Sequence, residues 1–427
     1  MDLRHRWRAG VRTAAAVLAA AALGSACAGA PAAAPEEPKA AGNAASPVFA
    51  KAEGGGAAIA GTTIFRKGEG GYNCFRIPAI VRTQDRGTLL AFAEGRNNNC
   101  DDTGDIDVVL KRSTDDGRTW GGLELVSDGA GDTRGNPVPV VDRVTGRISL
   151  LTTHNPGPEC NPGSKCTRTP YLQHSTDPKG TKWTAPKAQP QLTKTEWSTW
   201  YATGPGHGLQ LTRPGDHQNR MLAGINFGGG GGLKGAGLVY SDDGGTTWQL
   251  GALDDRTGEK ITPQELSLLE TVDGHVYTAA RNQDNSGTET PTGNRADAVS
   301  TDAGASFSQD FALVPELKGP VVQGSVVRLR AKTAGDPNNL VLFSGPYNTD
   351  PAMDHRRHTM RIRTSSDEGA TWQESGTVID ATWAAYSDLV NLGGGWAGLL
   401  YEAGSPASED AHETIRYARF NESDLAR

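Results

Sequence analysis

Arg76 stands in Phe75-Arg76-Ile77-Pro78, an apolar, proline-ended strand start where a purely solvated charge has little reason to sit. A guanidinium keeps its charge at any biological pH and presents a planar fork matched to a carboxylate. Arg281 closes a second strand-like run, His275 to Ala280, and lies 16 residues after Glu265. Arg357, with Arg356 as its rival, precedes Ser365 by eight residues. Tyr386, in Ala385-Tyr386-Ser387, carries a phenol whose ordinary pKa of about 10 makes it a poor nucleophile unless a neighbouring base takes its proton. Glu265 is a carboxylate suited to that task. A polar stretch from Asn97 to Gly104 offers Asp101 and Asp102 as acid/base candidates. Taken singly, each has an ordinary reading: a surface arginine, a core tyrosine, a solvated loop carboxylate. Only a fold that gathers distant segments gives them joint chemistry.

The elements that do the gathering are written in a repeat. Ser113-Thr-Asp115-Asp-Gly117-Arg-Thr119-Trp120 returns at Ser241 to Trp248, Ser300 to Phe307 and Ser365 to Trp372, with a degenerate copy at Ser175 to Trp183. The starts step by 62, 66, 59 and 65 residues, which marks a repeat architecture. In each copy the Asp side chain can cap free backbone N–H groups, the Gly can take positive φ, and the aromatic residue can plug the apolar layer behind the turn. Strand-like runs such as Ile106 to Leu110 and Gly237 to Tyr240 precede the turns. A calcium loop of the EF-hand kind needs twelve residues ending in Glu, which no copy has. From Ala57 to the end, a step of this length yields about six units, and six four-stranded blades closing on themselves make an all-β, six-bladed β-propeller.

The octapeptide resembles the Asp-box of the sialidase (neuraminidase) superfamily, and from Gly71 to Glu402 the chain is similar to bacterial exo-α-sialidases. The resemblance rests on Phe75-Arg76-Ile77-Pro78, Asp102-Thr-Gly104-Asp-Ile-Asp107, Gln264-Glu265, Ala280-Arg281, Arg357, Ala385-Tyr386-Ser387 and Tyr401-Glu402, in that order. It implies hydrolysis of terminal α-linked sialic acid with retention, without a cofactor or metal. Arg76, Arg281 and Arg357 would bind the substrate carboxylate, with Glu402 bracing Arg76. Tyr386 would be the nucleophile, Glu265 its base, and Asp102, rather than Asp101, the acid/base. Arg96 and Asn136 could contact the glycerol or N-acyl arms of the sugar. A neutral phenol suits a carbon already flanked by a carboxylate, since an anionic nucleophile would be repelled. A non-catalytic sialoglycan-binding propeller would keep the arginines without needing Tyr386 and Glu265 together. A trans-sialidase or a former of internal anhydro products would share every one of these motifs. The lone His207 reads as a shaper of the site rim.

Composition bounds the partners and the compartment. With 42 basic and 49 acidic residues the net charge is −7, which disfavours a nucleic-acid partner, while sialylated glycans are recognised by a local arginine cluster. The 55 glycines and 24 prolines demand a turn-rich fold. Four early arginines, an apolar run from Ala14 to Leu23 and small residues around Cys27 form an export signal over residues 1–28, either a secretory or a lipoprotein leader. An Ala/Pro/Gly-rich tether follows over 29–56, and the catalytic domain, expected as a monomer, occupies 57–427. No later stretch is apolar enough to span a membrane. In an oxidising compartment the cysteines at 74, 100, 160 and 166 will tend to pair; three connectivities are open, of which local spacing favours Cys74 with Cys100 and Cys160 with Cys166.

Overall fold

A computed structural model of the chain describes residue 59 and residues 61–156, 168–255, 261–283, 295–353 and 355–426. The expected leader, the expected tether and the expected Cys160–Cys166 pair fall outside the described residues. The compact unit from Ala50 to Arg427 is all-β, and helical structure among the described residues is limited to short 3₁₀ turns. None of the described helices is long and apolar enough to cross a membrane.

The chain runs through antiparallel meanders. After β1 (Thr62–Arg66) come β2 (Cys74–Arg82), β3 (Leu89–Arg96), β4 (Ile106–Ser113) and β5 (Glu124–Ser127). Next follow β6 (Thr133–Val141), β7 (Ile148–Asn155), β8 (Thr169–His174) and β9 (Lys187–Ala188). The third group is β10 (Trp200–Thr203), β11 (Leu209–Gln210), β12 (Met221–Gly228), β13 (Lys234–Ser241) and β14 (Gln249–Asp254). The fourth is β15 (Pro263–Glu270), β16 (Val276–Asn282), β17 (Arg295–Ser300) and β18 (Ala312–Val314). The last strands are β19 (Ser325–Arg330), β20 (Leu340–Pro346), β21 (His358–Ser365), β22 (Thr377–Gly393), β23 (Trp396–Ala403) and β24 (Thr414–Asn421). The first half of β22 pairs with β21 and its second half with β23, so one strand serves two meanders. β1 pairs with β24, stitching the start of the unit to its end. Buried Val, Ile, Leu and Phe from adjoining meanders pack together, as where Phe75 and Ile80 meet Leu400 and Ile415. Such interdigitated apolar burial is the main driving force for the fold.

The repeated turns have one hydrogen-bond pattern. Gly117 N–H donates to Ser113 Oγ at 2.8 Å, and Asp115 accepts from Thr119 N at 2.8 Å and Thr119 Oγ1 at 2.6 Å. The indole of Trp120 then donates to the Gly117 carbonyl at 3.1 Å. Asp243, Asp302 and Asp367 accept from the corresponding Thr or Ser. In the degenerate copy, Asp177 accepts from Thr181 despite the extra residue. Gly117 sits at φ 82°, and a Cβ there would lie 2.0 Å from the ring of Tyr417, so both conformation and space require glycine.

Four strands, β2, β6, β15 and β22, share an irregularity that decides where side chains point. Pairing breaks between Arg76 and Ala79 in β2, Gly135 and Val138 in β6, Gln264 and Leu266 in β15, and Ala384 and Ser387 in β22. In three of these, a non-glycine residue holds positive φ: Ile77 at 57°, Asn136 at 53° and Glu265 at 40°. Bulges of this kind re-aim side chains, and the left-handed conformation costs about 1–3 kcal/mol at each such residue. Arg76, Asn136, Glu265 and Tyr386 all sit at or beside these breaks.

Candidate functional site

Glu402, on β23 and fully buried, is the anchor. Its two oxygens accept from Arg76 Nε at 2.9 Å and Nη2 at 3.2 Å, a two-point clamp on one guanidinium. The same carboxylate accepts the backbone N–H of Ile77 at 2.9 Å and of Tyr386 at 3.1 Å. One side chain thereby satisfies the amides freed by the breaks in β2 and β22. Burial alone would raise its pKa, but Arg76 and then His412 outweigh that and hold it below the usual range.

Tyr386 sits above this anchor. Its hydroxyl donates to Glu265 Oε1 at 2.6 Å and accepts from Arg281 Nη1 at 2.9 Å. Arg281 Nη1 also donates to Glu265 Oε2 at 2.8 Å, closing a three-membered network between β15, β16 and β22. The guanidinium carbons of Arg76 and Arg357 lie 5.2 and 5.6 Å from the Tyr386 ring centre. Three arginines from separate segments therefore converge on one phenol. Burial, and next the Glu265 charge, raise the phenol's pKa, while Arg281, Arg357 and Arg76 pull it down without prevailing. The phenol is protonated, hydrogen-bonded to a carboxylate able to accept its proton.

Arg357 Nη2 donates to the Val321 carbonyl at 3.2 Å. Burial lowers its pKa, the Tyr386 oxygen partly offsets that, and repulsion from Arg281 and Arg76 lowers it further. No carboxylate among the described residues forms an ion pair with it. Arg356 instead turns its guanidinium over the Trp383 ring, 5.0 Å from the centre, so the two neighbours diverge.

Asp102 borders the cluster with 64% of its side chain exposed; its Oδ1 lies 2.9 Å from Arg96 Nη1 and 3.5 Å from Arg76 Nη1. Partial desolvation opposes ionisation, yet Arg96, then Arg76, hold its carboxyl below the usual range. Asp101 is engaged with Asn99 at 2.6 Å instead. Arg96 is almost wholly buried, its Nε and Nη2 donating to Glu94 at 3.0 and 2.6 Å and its Nη1 to the Cys100 carbonyl. A disulfide joins Cys74 to Cys100 and ties the Asp102 loop to β2. Asn136 takes part through its backbone, its N–H donating to Glu94 Oε1 at 2.7 Å and its carbonyl accepting from Thr203 Oγ1 at 2.7 Å.

Sequence reasoning passed over several residues. Glu94 links the bulge at Asn136 to Arg96, and its place two residues before Arg96 was the available signal. Arg168 and Arg134 are buried beside this region, stacked 3.8 Å over Trp200 and 4.0 Å over Tyr171. Burial brings the Arg168 pKa down to about 10 even with Glu94 and Asp102 nearby. His207 is not a rim residue: its Nδ1 bonds Asp388 Oδ1 at 2.7 Å, and the buried Asp388 also accepts from Ile80 N and Ser325 Oγ at 2.8 Å each. No group of three or more His, Cys, Asp or Glu among the described residues is placed to hold a metal.

Residues 87–399 match the family described as BNR repeat-like domain. The chain belongs to this family and, within it, to the sialidase superfamily. It is 32% identical over 363 residues to a sialidase of Micromonospora viridifaciens, covering 81% of this chain and 51% of that protein. The chain thus spans about half the length of that relative. To an exo-alpha-sialidase of Arthroderma benhamiae it is 31% identical, covering 82% of this chain and 84% of the relative. Among solved structures, a Hadza microbial sialidase superposes with a TM-score of 0.70 at 23% identity, over 86% of this chain and 69% of the other, a likeness of fold.

Proposed function

We propose that this superfamily member is a retaining exo-α-sialidase whose nucleophile is Tyr386. The observation that carries the proposal is the Tyr386 hydroxyl, 2.6 Å from Glu265, with the guanidiniums of Arg76, Arg281 and Arg357 around its ring. Three fixed positive charges suit the carboxylate of a terminal sialic acid, and a neutral phenol approaches the adjacent anomeric carbon without charge repulsion.

In the first half-reaction, the Tyr386 oxygen forms a bond to the anomeric carbon while its proton passes to Glu265. The bond to the leaving glycosyl oxygen breaks as Asp102 supplies that oxygen with a proton. In the second, Asp102 takes a proton from water, the water oxygen bonds to the anomeric carbon, and Tyr386 departs, recovering its proton from Glu265. Arg96 and Arg76 hold Asp102 ionised in the free protein, so the arriving substrate carboxylate must draw part of their field away before Asp102 can act as an acid.

The six-blade count belongs to the same proposal. The strands pair into sheets of seven, five, four and eight; dividing the seven-stranded sheet at β22 and the eight-stranded one between β5 and β6, with β1 against β24 in the last unit, supports that reading. Sialylated glycans are the proposed substrates, and an exported protein of oxidising surroundings is the proposed setting for the Cys74–Cys100 bond.

The test is NMR of a sialoside digest, with mass spectrometry of the protein after a 2,3-difluorinated sialic acid trap. Release of the α anomer first, together with a peptide adduct at Tyr386, is the expected result. First release of the β anomer would defeat retention, and an unmodified Tyr386 would defeat the nucleophile. A transferred or 2,7-anhydro product would assign transfer chemistry in place of hydrolysis.

A further inference from the structure

The described cavity of about 610 Å³ does not contain Tyr386; it opens at the other ends of the inner strands, where β2 reaches Arg82, β15 reaches Glu270 and β22 reaches Asn391. Arg82 lies six residues beyond Arg76 along β2, about 20 Å at the rise of an extended strand. The Asp388 network with His207, Ile80 and Ser325 stands between these two regions.

We propose that this second cavity binds a small molecule bearing a phosphate or carboxylate group, held by Arg86, Arg143 and Arg213. The charges lining the cavity do not cancel. Arg82 is paired with Asp116 at 2.8 Å, Arg328 with Glu368, and His207 with Asp388. Glu270 is the single carboxylate among the lining residues, and it is already occupied by the backbone N–H groups of Thr212 and Arg213 and by the Thr212 hydroxyl. Even if its charge is set wholly against Arg143, Arg86 and Arg213 are left in excess.

Among the described residues the guanidiniums of Arg86 and Arg143 have no hydrogen-bond or ion-pair partner, and Arg213 Nη2 has only the hydroxyl of Thr333 at 2.5 Å. Burial lowers the pKa of Arg143, with Glu270 opposing and Arg86 adding repulsion, so the two guanidiniums act on each other. This concentration of positive charge occurs in a chain of net charge −7 and is not a general property of its surface. The volume lies within the range of small-molecule sites, and guanidiniums grouped in a concave wall favour oxyanions.

Titration calorimetry with inorganic pyrophosphate and, separately, with citrate tests the assignment. Because the arginines around Tyr386 also attract anions, the reference protein is Arg281→Ala/Arg357→Ala, in which that cluster is dismantled. The expected result is saturable binding of at least one anion to this reference, weakened about tenfold or more when Arg86→Ala and Arg213→Ala are added, since charge-assisted contacts are lost. Whichever anion binds assigns the headgroup. Thermal melting of each variant checks the fold, and Arg86→Ala alone, at an exposed position, serves if the combined variant is unstable. Binding of neither anion to the reference, or binding unchanged without Arg86 and Arg213, overturns the proposal.

Discussion

The hydroxyl of Tyr386 and the carboxylate of Glu265 form a 2.6 Å hydrogen bond across 121 residues of sequence. Neither strand alone could set that distance. β15 carries Glu265 at positive φ on a bulge, and β22 breaks its own pairing beside Tyr386, so two strand irregularities meet.

Tyr386→Phe keeps the ring among its neighbours and removes the proposed attacking oxygen. Turnover of a fluorogenic sialoside is expected to fall by about 10²–10⁴-fold, with circular dichroism unchanged. Near-normal activity in this variant would remove the phenol from the mechanism.

Arg281→Ala loses the proposed charged contact to substrate and, at the same time, a donor to the Tyr386 oxygen. KM should rise by about tenfold or more, and kcat should fall with it, because the phenol–carboxylate pair loses its third member. Steady-state kinetics separates this from a pure binding defect, in which kcat would stay constant.

Asp102→Ala removes the proposed proton donor from an exposed loop. The defect should be large, about 10²-fold or more, for natural sialosides with poor leaving groups, and much smaller for aryl sialosides that leave as stabilised phenolates. Equal losses on both substrate types would argue that Asp102 positions rather than protonates.

Glu402→Ala strands Arg76 in the interior and orphans two backbone amides. The expected loss of stability is about 3–5 kcal/mol, the range for breaking a buried pair. Chemical denaturation measures it, and a loss below about 1 kcal/mol, the level of an exposed pair, would contradict the anchoring role.

Acid should act on the turns. Hydrogen bonds, chiefly from Thr119, lower the Asp115 pKa to about 2, and Asp243, Asp302 and Asp367 are also depressed, their hydrogen bonds outweighing desolvation. A carboxylate whose folded pKa is depressed stabilises the fold above its unfolded value, and that contribution is lost as pH falls through the folded pKa. Melting temperature should therefore decline between about pH 4 and pH 2. Asp243→Asn should flatten that decline, and an identical pH profile would count against the turns as its source.

Much of this was legible in the sequence because local chemistry and spacing carried it. Ser-x-Asp-x-Gly-x-Thr-Trp specifies a turn through hydrogen bonds confined to eight residues, so its repetition gave away the meanders. Arg76 stood out as a charge in apolar company, and Tyr386 stood out through its resemblance to the family's motif. Long-range partners were less visible. Glu94 and Asp388 resemble any acidic residue in a strand, and only the folded register brings Asn136 to one and His207 to the other. Positive φ at Ile77 was equally hidden, since a β-branched side chain advertises ordinary strand. The choice between Arg356 and Arg357 became structural once Trp383 was seen to take the former.

The bond between Cys74 and Cys100 makes chemistry depend on surroundings. A thiol reductant would unfasten the short segment that carries Asp102, the proposed proton donor, from the start of β2. Under the proposed function, activity should then follow the redox state of the compartment, low in a reducing one and full once the two sulfurs are joined.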